Sequence, residues 1–242
     1  MLHKTRGIVF KTTDYSESSV VVQIFTEKFG LQSYLVNGAR KPRAKIRMNM
    51  IQPLHLLDMV VYHKPDGGIQ RISEIRNLPL FESLPYDLTK SSLALFLNEV
   101  LYKVVKQHHD DQPLFEFMFH SIALLDRMEA GLNNFHLWFL LHLSRYLGFY
   151  PERTNERMSA YFDLRNGVFT NVPPGHVHFL HGSLTKKFAE ILDTNINALH
   201  ILQISNIERR ELLTRILDYY RLHVDNFSEV RSHKIIEEVL SP

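Results

Sequence analysis

Apolar and polar residues alternate in short runs along the first 75 residues, which is the pattern of half-buried β-strands. In the second run, Val20, Val22 and Ile24 share one face of the predicted strand. The predicted strands span residues 7–13, 19–26, 31–36, 54–62 and 69–75. Short strands with tight turns and one longer connection match a small five-stranded barrel of the OB type. An SH3-like barrel has the same pattern and remains an alternative.

The hydrophobic period becomes helical after residue 80. From Thr89 onward, apolar residues such as Leu93 and Leu97 recur at intervals of three and four, which predicts an amphipathic helix. A second helix is predicted to open at Asp111-Gln112-Pro113, and a third to be capped by Asn133 or Asn134. Further helices are predicted over residues 185–193, 196–203, 206–224 and 232–240.

Residues 151–182 interrupt this helical pattern. Asn166-Gly167 separates two short β-prone runs, which predicts a hairpin at that position. The sequence therefore predicts an α+β protein. An N-terminal five-stranded OB-type barrel occupies residues 1–80, and an α-helical domain with a small β-hairpin insertion occupies residues 81–242.

Composition excludes several classes of site. The 242 residues include no cysteine, so disulfides, thiolate zinc sites and cysteine nucleophiles are impossible. Neither a signal peptide nor a run of membrane-spanning length is evident, and we expect a cytoplasmic protein with no membrane contact. No phosphate-binding glycine loop or nucleophile motif occurs, so we expect no cofactor and no enzymatic activity.

Two groups of polar residues have the composition of a functional site, a metal site in one case and an acid/base pair in the other. His176, His178 and His181 lie in a Pro-Gly loop, where this spacing is a weak metal signal, so we expect no metal. Asp14 and Glu17 are more typical of backbone caps in a turn than of an acid/base pair.

Charge is distributed unevenly along the chain. Residues 1–80 hold 12 lysines and arginines against 6 acidic residues. The whole chain has 28 and 26, so the remaining residues hold 16 and 20. A basic N-terminal part on a mildly acidic body indicates that a polyanion binds to the barrel.

The most concentrated basic segment, residues 37–47, is called the basic loop here. It opens with the turn signal Asn37-Gly38 and contains five basic residues and no acid. Closely spaced cations bind phosphate backbones by releasing counterions, so we expect DNA to contact Arg40, Lys41, Arg43, Lys45 and Arg47. Lys11 adds a cation on the barrel, and Tyr15 and Tyr34 are candidates for stacking on bases. The alternatives are a solvated loop without a ligand and a scaffold that docks an acidic protein.

Several short motifs resemble those of the RecO family, bacterial mediators of DNA repair and recombination. They are Asp14-Tyr15-Ser16-Glu17-Ser18, Gly38-Ala39-Arg40-Lys41-Pro42, Gln52-Pro53, Leu147-Gly148-Phe149 and Arg231-Ser232-His233-Lys234. The resemblance covers most of the chain and implies an OB barrel followed by a helical domain. It also implies nucleoid-associated binding and annealing of single- and double-stranded DNA, and recombinase loading with RecR as partner.

The resemblance also implies how individual positions function. Arg40 and Lys41 match the basic-loop motif of the family, whereas Asn37 stands where many members have lysine. Many relatives carry four zinc-binding cysteines in the region of residues 151–182; in this chain we expect the hairpin and local packing to replace that site.

Relatives also hold the acidic, Phe-ending C-terminal tail of single-strand-binding protein in a pocket of the helical domain. Such a tail requires an apolar slot with cations at its rim. The cations available near the central helices are Lys103, Lys106, Arg127 and Arg145. Asn133 and Asn134 stand where several relatives have arginines, so this pocket is expected to be shifted or weaker.

Overall fold

The structure is a computed structural model that describes residues 1–65, 67–105, 111–153 and 159–240. It divides into two compact units. Unit 1 comprises Met1–Asp87 and Leu97–Arg127, and unit 2 comprises Leu88–Phe96 and Met128–Pro242. The predicted division into functional domains at residue 80 stays a prediction. Within the described residues, no helix combines the length and apolar character needed to cross a membrane.

The N-terminal strands close into a barrel. They are β1 (Leu2–Asp14), β2 (Val20–Thr26), β3 (Gly30–Val36), β4 (Leu56–Tyr62) and β5 (Ile69–Asn77). Their order around the barrel is β1-β2-β3-β5-β4, with β1 also paired to β4. Only the β3–β5 pair is parallel among these neighbours. The fold class predicted from the sequence is confirmed, including the OB-like barrel.

The barrel core follows the alternation of the sequence. Val20, Val22 and Ile24 of β2 lie on one face, as predicted, and that face is completely buried in the barrel core. Their register partners on β3 determine which face of that strand is internal, and Val22 lies opposite Tyr34. Because side chains alternate across a strand, Tyr34 and Val36 point inward together.

Two helices complete unit 1. The C-terminal half of α1 (Leu88–Val104) contacts the barrel, where Asn98 Nδ2 donates to the Phe10 carbonyl at 3.1 Å. Helix α2 (Gln112–Arg127) is capped by Asp111, whose carboxylate accepts from Leu114 N at 2.9 Å. The ring centroids of Phe115 and Phe25 are 6.0 Å apart, so α2 covers an apolar patch on β2. The predicted opening of α2 is confirmed.

Unit 2 is mainly helical. Its helices are α3 (Leu132–Tyr146), α4 (Ser183–Asp193), α5 (Asn206–His223) and α6 (His233–Val239), with a 3-10 helix at Ile196–Ile201. Helix α5 begins with a capping box, because Glu208 N donates to Ser205 Oγ at 3.3 Å and Ser205 N donates to Glu208 Oε2 at 3.0 Å.

The predicted asparagine cap of α3 is wrong. The cap position is Gly131, which has φ +79° and no side chain to accept a hydrogen bond. Asn134 instead lies inside the first turn and is buried, where its Nδ2 donates to the carbonyls of Leu199 and Leu202 at 3.1 and 3.2 Å. The amide therefore joins α3 to the 3-10 helix.

The predicted hairpin is present and is extended by a third strand. Strands β6 (Tyr161–Asp163), β7 (Val168–Thr170) and β8 (Phe179–His181) form a sheet in the order β7-β6-β8. Gly167 has φ +70°, and a Cβ at this position would lie 2.9 Å from the Tyr219 hydroxyl, so the turn requires glycine. Phe162 stacks on Phe188 with centroids 4.5 Å apart, which gives the sheet an aromatic core.

Candidate nucleic-acid interface

The basic loop has one solvent face and one apolar face. Arg43, Lys45 and Arg47 are exposed. Ile46 and Met48 alternate with them and are partly buried against the barrel core. This alternation holds the backbone on the barrel while its cations project into water. Tertiary contacts therefore hold the loop on the barrel, and its charged side chains are exposed to solvent.

A tight turn sets the start of the basic loop. Gly38 has φ +67°, a conformation that glycine adopts without the penalty paid by other residues. Gly38 N donates to Ser19 Oγ at 3.4 Å, and Lys41 N donates to the Gly38 carbonyl at 3.0 Å. The turn signal recognised in the sequence is thus the point where the loop is fastened to the β1–β2 connection.

The same connection carries a candidate stacking residue. Arg40 N donates to the Ser18 carbonyl at 3.3 Å, and the Arg40 guanidinium pairs with Asp14. Tyr15 directly follows Asp14 and is 61% exposed. The structure therefore brings the Tyr15 turn and the basic loop to the same end of the barrel.

The cations of the basic loop differ in their internal contacts. Lys45 Nζ donates to the Ser73 carbonyl at 3.1 Å. Within the described part of the chain, no carboxylate pairs with Lys41, Arg43 or Arg47. These three exposed side chains are available to an external polyanion without first breaking an ion pair.

Of the two other predicted barrel contacts, Tyr34 is buried and Lys11 is exposed. Tyr34 is 0% exposed and belongs to the barrel core, so the prediction that its ring stacks on a base is wrong. Burial raises the pKa of its hydroxyl, which has no hydrogen-bond partner among the described residues. Lys11 is exposed, and its Nζ lies 5.7 Å from the ring centroid of Tyr102 on α1.

The predicted partner-binding cations that the structure describes differ in their local contacts. Lys103 pairs with Glu99 at 3.6 Å. The Arg145 guanidinium lies 5.2 Å from the ring centroid of Tyr150 in unit 2. Arg127 is exposed at the end of α2 in unit 1, and Lys106 lies outside the described residues.

Arg127 borders a groove of about 820 Å³, called the α2 groove here. Its floor contains apolar side chains such as Phe119 and Leu124 of α2 and Leu78 of the segment after β5. The full lining is Lys4, Arg6, Asp58, Arg76, Leu78, Pro79, Phe119, His120, Ala123, Leu124 and Arg127. The groove combines an apolar floor with a basic rim, and it includes Arg127, one of the cations that the sequence suggested for such a pocket.

Ion pairs fix most of this rim. Arg6 donates two hydrogen bonds to Glu27, at 2.9 and 3.0 Å, and also pairs with Glu116 of α2. The bond to Glu27 raises the pKa of Arg6 and lowers the pKa of Glu27. Lys4 and Arg76 share the carboxylate of Asp58, at 3.6 and 2.6 Å. Arg127 is the lining cation for which the described residues provide no carboxylate partner.

Sequence reasoning missed Lys4 and Arg6 because it started β1 at residue 7. Leu2, Lys4 and Arg6 alternate with the other face of the strand, and this period of two was the available signal. The groove itself had no local signal, because its residues come from β1, β4, β5 and α2.

The histidines of the hairpin region do not assemble a metal site in the described residues. His176 Nε2 lies 3.3 Å from a carboxylate oxygen of Asp163. That carboxylate also accepts from Arg165 N and Asn166 N at 2.8 and 3.1 Å. The Asp163 carboxylate thus stabilises the β6–β7 turn.

Comparison with known families gives matches along almost the whole chain. A family model described as Recombination protein O N terminal matches residues 1–81. A second model, described as Recombination protein O C terminal, matches residues 85–232.

Individual proteins are similar over the same length. The DNA repair protein RecO of Phocaeicola vulgatus is 35% identical over 241 residues, covering 100% of both chains. The protein of the same name from Bacteroides fragilis is 35% identical and covers 99% of each chain. That of Flavobacterium johnsoniae is 32% identical, covering 98% of this chain and 99% of the relative.

Proposed function

Because this chain belongs to the RecO family of DNA repair proteins, we propose that it is a recombination mediator that binds single- and double-stranded DNA through its barrel. The main observation that supports the proposal is that the basic loop is held on the barrel with its cations exposed to solvent. The proposed contacts are Arg40, Lys41, Arg43, Lys45 and Arg47 with phosphates, and Tyr15 with bases.

This arrangement suits binding without sequence preference. Exposed lysine and arginine side chains follow a phosphate backbone, and an exposed ring stacks on any base. Neutralising the phosphates also lowers the repulsion between two strands, which favours annealing of complementary sequences. Neither step makes or breaks a covalent bond, so the proposed role is not enzymatic.

The α2 groove supports a second, protein-binding role. The C-terminal tail of single-strand-binding protein is acidic and ends in phenylalanine, so its ring fits the apolar floor and its carboxylates fit the basic rim. Arg127 is the rim cation we assign to this contact. RecR is the other partner expected from the family resemblance, and co-migration of the two purified proteins in size-exclusion chromatography tests it.

Fluorescence anisotropy with a labelled single strand tests the DNA-binding role. We expect binding that is competed by both unlabelled single strand and duplex. The affinity should fall steeply with salt, with a logarithmic slope of about 0.7 per phosphate contact on single strands. A protein that binds neither form of DNA, but retains an acidic protein, would support the scaffold alternative instead.

A further inference from the structure

A second cavity lies in unit 1 directly after the basic loop. It has a volume of about 250 Å³ and is lined by ten residues. The lining begins with Asn49, two residues beyond Arg47, and continues across the barrel end to the segment after β5. A chain that follows the cations of the basic loop therefore arrives at this cavity.

The lining combines side-chain amides with rings and contains no lysine, arginine or carboxylate. The amides are those of Asn49, Gln52 and Asn77, and the rings include Phe81 and Tyr86. Amides offer both donors and acceptors, which is the chemistry that recognises the edge of a nucleobase. A neutral cavity with one open aromatic face suits an uncharged heteroaromatic ring.

The polar wall of the cavity is fixed by hydrogen bonds. Asn77 Nδ2 donates to the Met50 carbonyl at 2.9 Å and lies 3.1 Å from Nδ1 of His55. Nδ1 of His55 also lies 3.3 Å from the Met50 carbonyl, so His55, Asn77 and this carbonyl form one hydrogen-bonded group. Burial lowers the pKa of His55, which favours the neutral ring in this wall.

Tyr86 is the open side of the cavity. Its side chain is 84% exposed, so the ring is accessible to a base. Its backbone is nevertheless fixed, because Tyr86 N donates to the Ser83 carbonyl at 2.9 Å. The carboxylate of Asp126 on α2 in turn accepts from Ser83 N at 2.9 Å. The backbone that carries the ring is therefore tied to α2 through Ser83.

We propose that this cavity, the Tyr86 pocket, holds one unstacked nucleobase of single-stranded DNA, with Tyr86 stacked on the base. The inference rests on the proposed DNA-binding function and adds a site to it. The volume is below the range of about 300–1,000 Å³ typical of whole ligands, so it suits one ring system rather than a nucleotide. Phosphates stay on the basic loop, and one base turns into the pocket.

Photocrosslinking and affinity together test the proposal. A labelled poly-thymidine strand that contains 5-iodouracil should crosslink to Tyr86, identified by mass spectrometry of the digested protein. Tyr86→Ala should weaken single-strand binding about tenfold, because the stacked base is lost. Tyr86→Phe should retain most of the affinity. Duplex affinity should not change with Tyr86→Ala, since duplex bases are not unstacked.

Tyr62→Ala is the matched control, because Tyr62 is another exposed tyrosine of unit 1 that does not line the pocket. It should bind single strands like the wild type. Melting temperatures of all variants check that they are folded.

The outcomes separate this site from the function it rests on. If the wild-type chain binds no DNA, the proposed function itself fails. If the wild type binds DNA but Tyr86→Ala matches it and the crosslink maps elsewhere, the base pocket is overturned and DNA binding stands. If Tyr86→Ala weakens only binding of an acidic phenylalanine-ended peptide, the pocket belongs to a protein partner and the proposal is also overturned.

Discussion

The basic loop and the α2 groove both carry lysine and arginine side chains. These cations differ in their exposure to solvent and in their ion pairs. In the loop, Lys41, Arg43 and Arg47 project into water, and the apolar side chains face the barrel core. In the groove, apolar side chains form the open floor, and carboxylates such as Asp58 and Glu27 hold most cations in place.

This difference separates two kinds of recognition. Unpaired cations without a cavity bind a polyanion of any sequence, and that binding weakens with salt. An apolar floor beside Arg127, which has no carboxylate partner among the described residues, suits a short segment with an apolar end and an acidic charge. Similar residue composition therefore supports different ligands, because burial and ion pairing determine which part of each surface is free.

The largest expected effect is on DNA binding by the basic loop. Replacing Arg40, Lys41, Arg43 and Lys45 with alanine should weaken single-strand binding by about tenfold or more at moderate salt. Stability should change little, since exposed substitutions cost within about 0.5 kcal/mol each. Anisotropy titrations and thermal melts measure the two quantities.

A control of equal charge loss uses cations of unit 2: Arg165, Lys186, Arg215 and Lys234. Alanine at these positions should leave DNA affinity within about twofold of the wild type, because none of them belongs to the basic loop. An equal loss in the control and the loop variant would mean that net charge, and not the loop, determines binding.

A smaller effect is expected at the α2 groove. Arg127→Glu should weaken capture of an acidic, phenylalanine-ended peptide about fivefold, because it places like charge beside the peptide carboxylates. DNA affinity should be nearly unchanged. Arg145→Glu is the matched control, since Arg145 lies over Tyr150 and does not line the groove.

Peptide anisotropy with both variants distinguishes two models. If Arg127→Glu costs as much DNA affinity as the loop variant, the two surfaces form one continuous DNA path. If Arg145→Glu alone weakens peptide capture, the tail binds in unit 2, closer to the site expected from the sequence.

The smallest effect concerns the shape of the loop rather than its charge. Gly38→Ala forces a side chain into the left-handed region and should cost about 1 kcal/mol of stability. Because the turn fastens the loop to Ser19, single-strand affinity should fall about twofold to threefold although no charge is lost. Gly68→Ala is the control, since Gly68 has no positive φ and open space around its Cβ position. Equal DNA affinity in the two variants would indicate that loop geometry is irrelevant.

The barrel and most helices were predictable because their signals are local. Alternation along β2 grouped Val20, Val22 and Ile24 on one face, and Asn37-Gly38 identified the turn that starts the basic loop. Tyr34 was assigned to the wrong face because β3 has apolar residues at both odd- and even-numbered positions, so alternation alone does not identify its internal face. Only its register with Val22 of β2 shows which face is internal.

The groove was not predictable for a related reason. Its lining residues are spread over more than 100 residues along the chain, from Lys4 to Arg127. No periodicity relates positions brought together by tertiary packing. The capping residue of α3 was predicted wrongly for the same reason. Contacts of Asn134 with the 3-10 helix overrode the local preference of asparagine for a capping position.

The most direct test of the account is the salt dependence of single-strand binding by three proteins: the wild type, the four-residue loop variant and Arg127→Glu. Removing four phosphate contacts should make the logarithmic slope shallower by about three, at roughly 0.7 per contact. Arg127→Glu should keep the wild-type slope. A loop variant with the wild-type slope, or an equally shallow slope for Arg127→Glu, would contradict the claim that the basic loop is the DNA-binding surface and the α2 groove is not.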